Sequence, residues 1–276
     1  MKKISAIILI VLMVLVMALL STILVVGLTN KAWLADHFIF NAKKIELYNE
    51  DHNVLPISIE TDSYDVIFKY HDSDKINVEI NGNEEDIVDV YEKDDTLYVE
   101  VKNKKKFNIV LFSLVSNKIT IRVPKNYELP IDATIRSGDF KFNDANKSKL
   151  NVKATTGDIY VHDAYDSILV STTGDITVSD TLSNGTAFCT TGDIKVNTVI
   201  NSMKIRTTTG DVSIKDVAIN SDSSINCTTG DIKINRTNDV YIEGNATTGD
   251  VKINGSNRHS DTALTIKTTT GDIKVN

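Results

Sequence analysis

The chain reads as an all-β protein: a single-stranded parallel β-solenoid with coils of about 19 residues, behind one N-terminal transmembrane helix. Three observations lead there. Thr-Thr-Gly-Asp followed by Ile or Val recurs seven times. β-branched apolar residues alternate with polar ones after every copy. An uncharged run from Ile4 to Leu28 follows Met1-Lys2-Lys3.

The N-terminal run comes first. Its 25 residues exceed the ~20 that cross a bilayer core as a helix. Lys2 and Lys3 precede it, so the positive-inside rule places residues 1–3 in the cytoplasm and the rest outside. Trp33 follows where an interfacial aromatic sits. A cleaved signal peptide would have a shorter apolar region and a small-x-small site. Gly27-Leu28-Thr29 is a poor one, so the run is read as an uncleaved signal-anchor. Residues 29–43 then form a stalk.

Residues 44–130 are β-rich but irregular. Ile57-Ser58-Ile59-Glu60, Ile76-Asn77-Val78-Glu79-Ile80 and Leu97-Tyr98-Val99-Glu100-Val101 alternate as half-buried strands do. Thr61-Asp62-Ser63-Tyr64-Asp65-Val66 resembles a worn repeat turn. This part is read as opening coils with hairpin excursions that cap the membrane-proximal end. The apolar stretch Phe107–Val115 is expected to be buried in that cap.

Residues 131–276 carry the repeats. Their glycines are Gly157, Gly174, Gly192, Gly210, Gly230, Gly249 and Gly271, with a degenerate copy at Gly138. Successive spacings are 19, 17, 18, 18, 20, 19 and 22. Ile159, Ile176, Ile194, Val212, Ile232, Val251 and Ile273 stand two residues after the glycines, and an apolar β-branched residue again two further on. Period two with β-branched residues on one side is a half-buried strand. One such unit cannot bury its apolar face alone; stacked units can. The general crossover preference makes the coil right-handed. Gly244 breaks the inward pattern, so an irregular coil is expected there. Two and three faces per coil both stay open, since returns such as Asp180–Asn184 have room for a third short strand.

Composition removes several functions. Lys plus Arg is 30 against 37 Asp plus Glu, a formal charge of −7. That argues against a nucleic-acid partner. The five His are scattered, and neither a nucleophile elbow nor a phosphate-cradling loop is present, so no enzyme and no cofactor are expected. His162 stands where other coils have Ser179, Asn197 or Lys215 and is read as a surface variant.

The membrane run, Ile-Thr-Ile-Arg-Val-Pro at 119–124 and the serial Thr-Thr-Gly-Asp-Ile units together resemble the bacterial putative-adhesin family of β-strand-repeat proteins. That family includes the LiaG-like membrane-anchored proteins of Gram-positive envelope-stress operons. The resemblance covers residues 44–276 and implies a β-repeat fold and an adhesive role of undefined biochemistry. It carries over no catalytic residue.

Three side-chain rows invite a reading. Asp158, Asp175, Asp193, Asp211, Asp231, Asp250 and Asp272, with Asp139 before them, should stack one per coil. Such a row has the oxygen chemistry of a cation ladder. The alternative is that each Asp closes its own turn on nearby N–H groups while Gly supplies positive φ. The turn reading is preferred, since the nonapeptide of calcium β-rolls is absent and lysines such as Lys195 and Lys233 lie beside the row. Of the paired threonines, one per coil is expected to face outward, because neighbours in a strand alternate. That is too sparse for an ice-templating array. Cys189 and Cys227 share a phase two coils apart, about 10 Å, so free buried thiols are expected.

Two functions follow. The first is a non-enzymatic surface module anchored in the bilayer by residues 4–28, binding a surface glycan or an envelope protein. The alternative is an accessory of an envelope-stress or signalling system acting through membrane partners. Strand Ile273–Val275 ends the sequence without a visible cap, so self-stacking at the C-terminal coil is a further expectation.

Overall fold

The computed structural model describes residues 45–83, 86–103 and 117–276. The signal-anchor 4–28, the stalk 29–43 and Phe107–Val115 lie outside them. Among the described residues no helix is long and apolar enough to cross a membrane.

From Gly138 onward each coil turns at its Gly-Asp step, and the strands on either side stack in parallel ladders. The first face holds the strands before the turn. In spatial order these are β6 (Thr96–Lys102), β2 (Ile57–Thr61), β8 (Ile131–Ser137), β10 (Leu150–Thr156), β13 (Ile168–Thr173), the later parts of β14 (Ile176–Thr191) and β15 (Ile194–Thr209), then β17 (Ser223–Thr229), β21 (Ala263–Thr270) and β19 (Tyr241–Thr248). The second face holds the strands after the turn: β7 (Lys118–Pro124), β3 (Asp65–His71), β9 (Phe140–Phe142), β11 (Ile159–Val161), the first parts of β14 and β15, β16 (Val212–Ile219), β18 (Ile232–Thr237), β22 (Ile273–Val275) and β20 (Val251–Ile253).

The open question of two or three faces resolves to three in the central coils. β12 (Ala164–Tyr165) pairs with Leu182–Ser183, these with Val199–Ile200, and these with Val217–Ala218. A second corner then returns the chain to the first face. Asp166, Asn184 and Asn201 stand at it with φ of 49°, 49° and 62°. Short Asx side chains tolerate that left-handed region where β-branched ones do not.

The inward positions form one continuous core. Ile159, Ile176, Ile194, Val212, Ile232 and Ile273 are 0–1% exposed, as are Leu169, Ala187, Ile205, Ile225 and Ile266. Toward the start of the stack the core is aromatic, with Phe68 against both Phe140 and Phe142 at ring-centroid distances of 5.7 and 5.3 Å. Residues 45–103 and 117–276 belong to one compact unit, so the Pro124–Pro130 stretch is a bend inside a single stack. The worn turn belongs to the stack as well: Tyr64 takes the glycine's place, and its carbonyl lies against Gly138.

Chain order and spatial order part company at both ends. The coil of β6 and β7 lies outside that of β2 and β3, which precedes it in sequence. The last coil, β21 and β22, slots between β17–β18 and β19–β20. The expectation of an uncovered C-terminal coil is therefore corrected. Ile273 and Val275 have partners on both sides and are 0–1% exposed. The outermost coil is the irregular one containing Gly244, whose missing side chain leaves room for Ile253. Its Val251, inward by phase, is 43% exposed. The opposite end is closed by antiparallel strands. β5 (Ile87–Lys93) covers β6, β4 (Ile76–Gly82) covers β7, and β1 (Ile45–His52) covers β4. Antiparallel strands end a parallel stack by taking up its edge groups with a different register of bonds.

Candidate binding face

The turn fixes how side chains are presented. Its glycines adopt φ of +131° to +143°, a region closed to other residues. A Cβ at Gly174 would also strike the carbonyl of Gly157 in the adjoining coil. Only glycine satisfies both demands.

The Asp row joins coils to one another. The Asp139 N–H donates to Asp65 Oδ1 at 2.9 Å, that of Asp158 to Asp139 at 2.9 Å, and that of Asp175 to Asp158 at 2.7 Å. The same bond links Asp193 to Asp175, Asp211 to Asp193, Asp231 to Asp211, Asp272 to Asp231 and Asp250 to Asp272, all at 2.8–2.9 Å. The expectation that each Asp closes its own turn is thus corrected: the acceptor serves the neighbouring coil. One oxygen of Asp158, Asp175, Asp193, Asp211, Asp231 and Asp272 is committed this way, and Asp250 ends the row. The second oxygen is often used too. Lys141 Nζ meets Asp139 Oδ2 at 2.8 Å, Lys195 lies 3.4 and 3.3 Å from Asp175 and Asp193, and the Tyr160 hydroxyl donates to Asp158 at 2.8 Å. That bond to Asp158, with burial, pushes the Tyr160 pKa up to about 12. The row is a structural seam whose oxygens are largely spoken for.

The position three before each glycine supplies a second seam. Ser171, Cys189, Thr207 and Cys227 donate to the carbonyls of Gly157, Gly174, Gly192 and Gly210, at 3.1, 3.1, 3.3 and 3.4 Å. Both thiols are free and buried, as expected. They act as donors and not only as apolar filler. Burial pushes the Cys189 pKa up to about 11.

Two features went unseen in the sequence. His162, read as a surface variant, bonds Asp163 Oδ2 at 2.8 Å, and with Asp180 the three present ligand atoms within 4.8 Å of one another. Asp180 comes from the next coil, so only the stacking brings it there. Second, both threonines of each pair are exposed, not one. The chain bends at the glycine that follows, and the second Thr, at the strand's end, escapes strict alternation.

The outer surface of the first face is where the coils present variable side chains in rows. One row runs Asn151, Ile168, Thr186, Lys204, Ser224, Thr265, Glu243, each paired with the next. The row beside it runs Lys153, Val170, Phe188, Arg206, Asn226, Lys267, Asn245. A shallow groove of about 570 Å³ lies across them, lined among others by Phe188, Lys204, Arg206, Asn226, Asn245 and Lys267. No carboxylate is in its lining. Lys204 Nζ stands 5.9 Å from the centre of the Phe188 ring. Nearer the antiparallel end the same face turns acidic, with Glu60, Glu100 and Asp132 in the corresponding rows and Tyr91 stacked on Tyr98 at 5.2 Å.

A family model described as Toastrack DUF4097 matches residues 54–276. The chain belongs to the Toastrack DUF4097 family. A solved structure from Parabacteroides distasonis ATCC 8503, described as a putative lipid binding protein, is similar to this Toastrack chain. It is 17% identical, with a TM-score of 0.51, over 85% of this chain and 98% of that one. A putative adhesin from Bacteroides fragilis NCTC 9343 is 18% identical over 86% and 98% of the two chains, with a TM-score of 0.44. A second Parabacteroides distasonis protein, also described as a putative adhesin, is 13% identical over 84% and 97%, with a TM-score of 0.42. At such identities the likeness to the first concerns the Toastrack fold alone. A comparison with curated proteins finds no match.

Proposed function

We propose that this Toastrack chain is a non-enzymatic binding module, held outside the cell by the signal-anchor at residues 4–28, that lays its first face along an extended ligand. The observation that carries this reading is the groove of Phe188, Lys204, Arg206 and Lys267. It is an open cross-strand surface, suited to a chain that runs over several coils and unlike the enclosed cleft that catalysis needs. The Parabacteroides distasonis structure with a TM-score of 0.51 is described as a putative lipid binding protein, a name that speaks of binding.

The test is retention of full-length protein on isolated envelope material. Arg206→Glu with Lys267→Glu is expected to abolish retention. Lys233→Glu with Lys252→Glu, on the second face, is expected to leave it intact. Equal loss from both pairs would remove the first face from the account.

A further inference from the structure

We infer that the ligand of the first face is an acidic polysaccharide, a linear carboxylate-bearing glycan lying along the stack axis across the strands. This rests on the reading above and adds to it the chemistry of the partner.

Three properties of the groove point there together. First, its cations are uncommitted. Arg206 and Lys267 are exposed, and no carboxylate lines the groove beside them. On the second face Lys141 and Lys195 are held by the Asp seam, whereas Lys233, Lys274 and Lys252 form a row of their own, unpaired among the described residues, so the groove differs from that row by the aromatic ring of Phe188 among its cations. On a chain of net charge −7, an acid-free basic surface is a local departure that favours a negative partner. Second, the remaining lining is that of a sugar site. Phe188 offers a half-buried aromatic ring, whose negative face attracts the polarised C–H groups of a pyranose. Asn226, Asn245, Thr228 and Thr247 offer amides and hydroxyls that both donate and accept, as sugar hydroxyls require.

Third, the spacing is periodic in the right direction. Arg206, Asn226 and Lys267 sit in consecutive coils of one row. The two cations are therefore about 10 Å apart with an amide between, at ~4.8 Å per coil. A glycan following the axis passes about one pyranose per coil, so charged and neutral contacts alternate along it. The acidic rows at Glu60, Glu100 and Asp132 repel the same ligand, which confines it to the stretch from Lys153 to Lys267. Glu243, at the far end of the neighbouring row, bounds it on the other side.

The experiment measures binding of the full-length protein, in detergent micelles, to immobilised polygalacturonate, alginate and hyaluronan. Neutral dextran and a single-stranded DNA oligonucleotide serve as comparisons. The expected result is binding to at least one of the three acidic glycans and none to dextran, weakening steeply as salt rises. Arg206→Glu should weaken it at least tenfold. Phe188→Ala should weaken it severalfold while leaving the salt dependence unchanged, and Lys233→Glu should have no effect. Three results would overturn the inference: no binding to any acidic glycan, DNA bound more tightly than all of them, or equal sensitivity to Lys233→Glu. Dextran bound in a Phe188-dependent way would overturn the acidic chemistry while leaving the first face as the binding surface. Envelope retention that ignores Arg206 and Lys267 would end both readings.

Discussion

At the scale of single residues, the turn is the most constrained feature. Gly174→Ala must place a side chain at φ +136° and against the Gly157 carbonyl. The backbone term alone costs about 1–3 kcal/mol, so urea unfolding should show at least that loss. Asp175→Asn keeps the oxygen that takes the Asp193 N–H and should be mild, whereas Asp175→Ala should cost about 1–2 kcal/mol, the range for a partly exposed charge-assisted bond. The positive-φ glycines, and an Asp that accepts a backbone N–H, were legible in the sequence. The direction of the Asp bond was not, because a local turn and an inter-coil bond demand the same residue. The donors three before glycine were also missed. Ser171, Cys189, Thr207, Cys227 and Thr268 all carry an O–H or S–H, a shared property hidden behind their shared small size. Cys189, lifted to about 11 from an ordinary 9.0, should resist alkylation in the folded protein near pH 9 and react once unfolded. Its sign in stability follows. Above pH 9 the unfolded thiol ionises while the folded one stays protonated, so this contribution falls as pH rises from about 9 to about 11.

At the scale of strands and turns, the seams between coils decide how the stack answers acid. Burial alone would raise the Asp139 pKa. The bond from Lys141 and the N–H of Asp158 outweigh it, and the group titrates below the usual Asp range. A depressed carboxyl contributes stability above its unfolded pKa and loses it as pH falls through the lower folded value. Lys141→Ala should therefore lower stability at neutral pH, with the loss shrinking as pH falls through the folded Asp139 pKa, measured as urea midpoints against pH. Strand existence was legible from period two and β-branching. The third strand was only a possibility, since a strand of two residues such as Ala164–Tyr165 carries no period to read. The two exposed threonines per turn escaped for a related reason: alternation holds within a straight strand, and this one bends between Thr and Gly.

At the scale of the whole molecule, spatial order differs from chain order at both ends, and repeat spacing does not encode that. Any unit can stack on any other because the turn and the apolar phases are the same in each. Two signs were present: the longest interval, 22 residues from Gly249 to Gly271, and the side-chain-free Gly244. The first gives the chain length to step back inside, and the second belongs to a coil with nothing beyond it. Deleting residues 259–276 should remove the wedge between β17–β18 and β19–β20, and amide exchange across Tyr241–Ile253 should rise sharply while the central coils stay protected. The candidate groove was not legible at all. Lys204 and Arg206 share a strand, but Lys267 lies far along the chain and joins them only because the last coil inserts two coils from theirs. The measurement that tests the central claim most directly is photo-crosslinking of the full-length protein in its native cells, with probes at Asn226 on the first face, Lys233 on the second, and Val14 in the apolar run. Capture of an extended surface ligand from Asn226, and none from Lys233, is the expected result. Capture from Val14 alone, onto a membrane protein, would contradict it and leave a signalling accessory as the function.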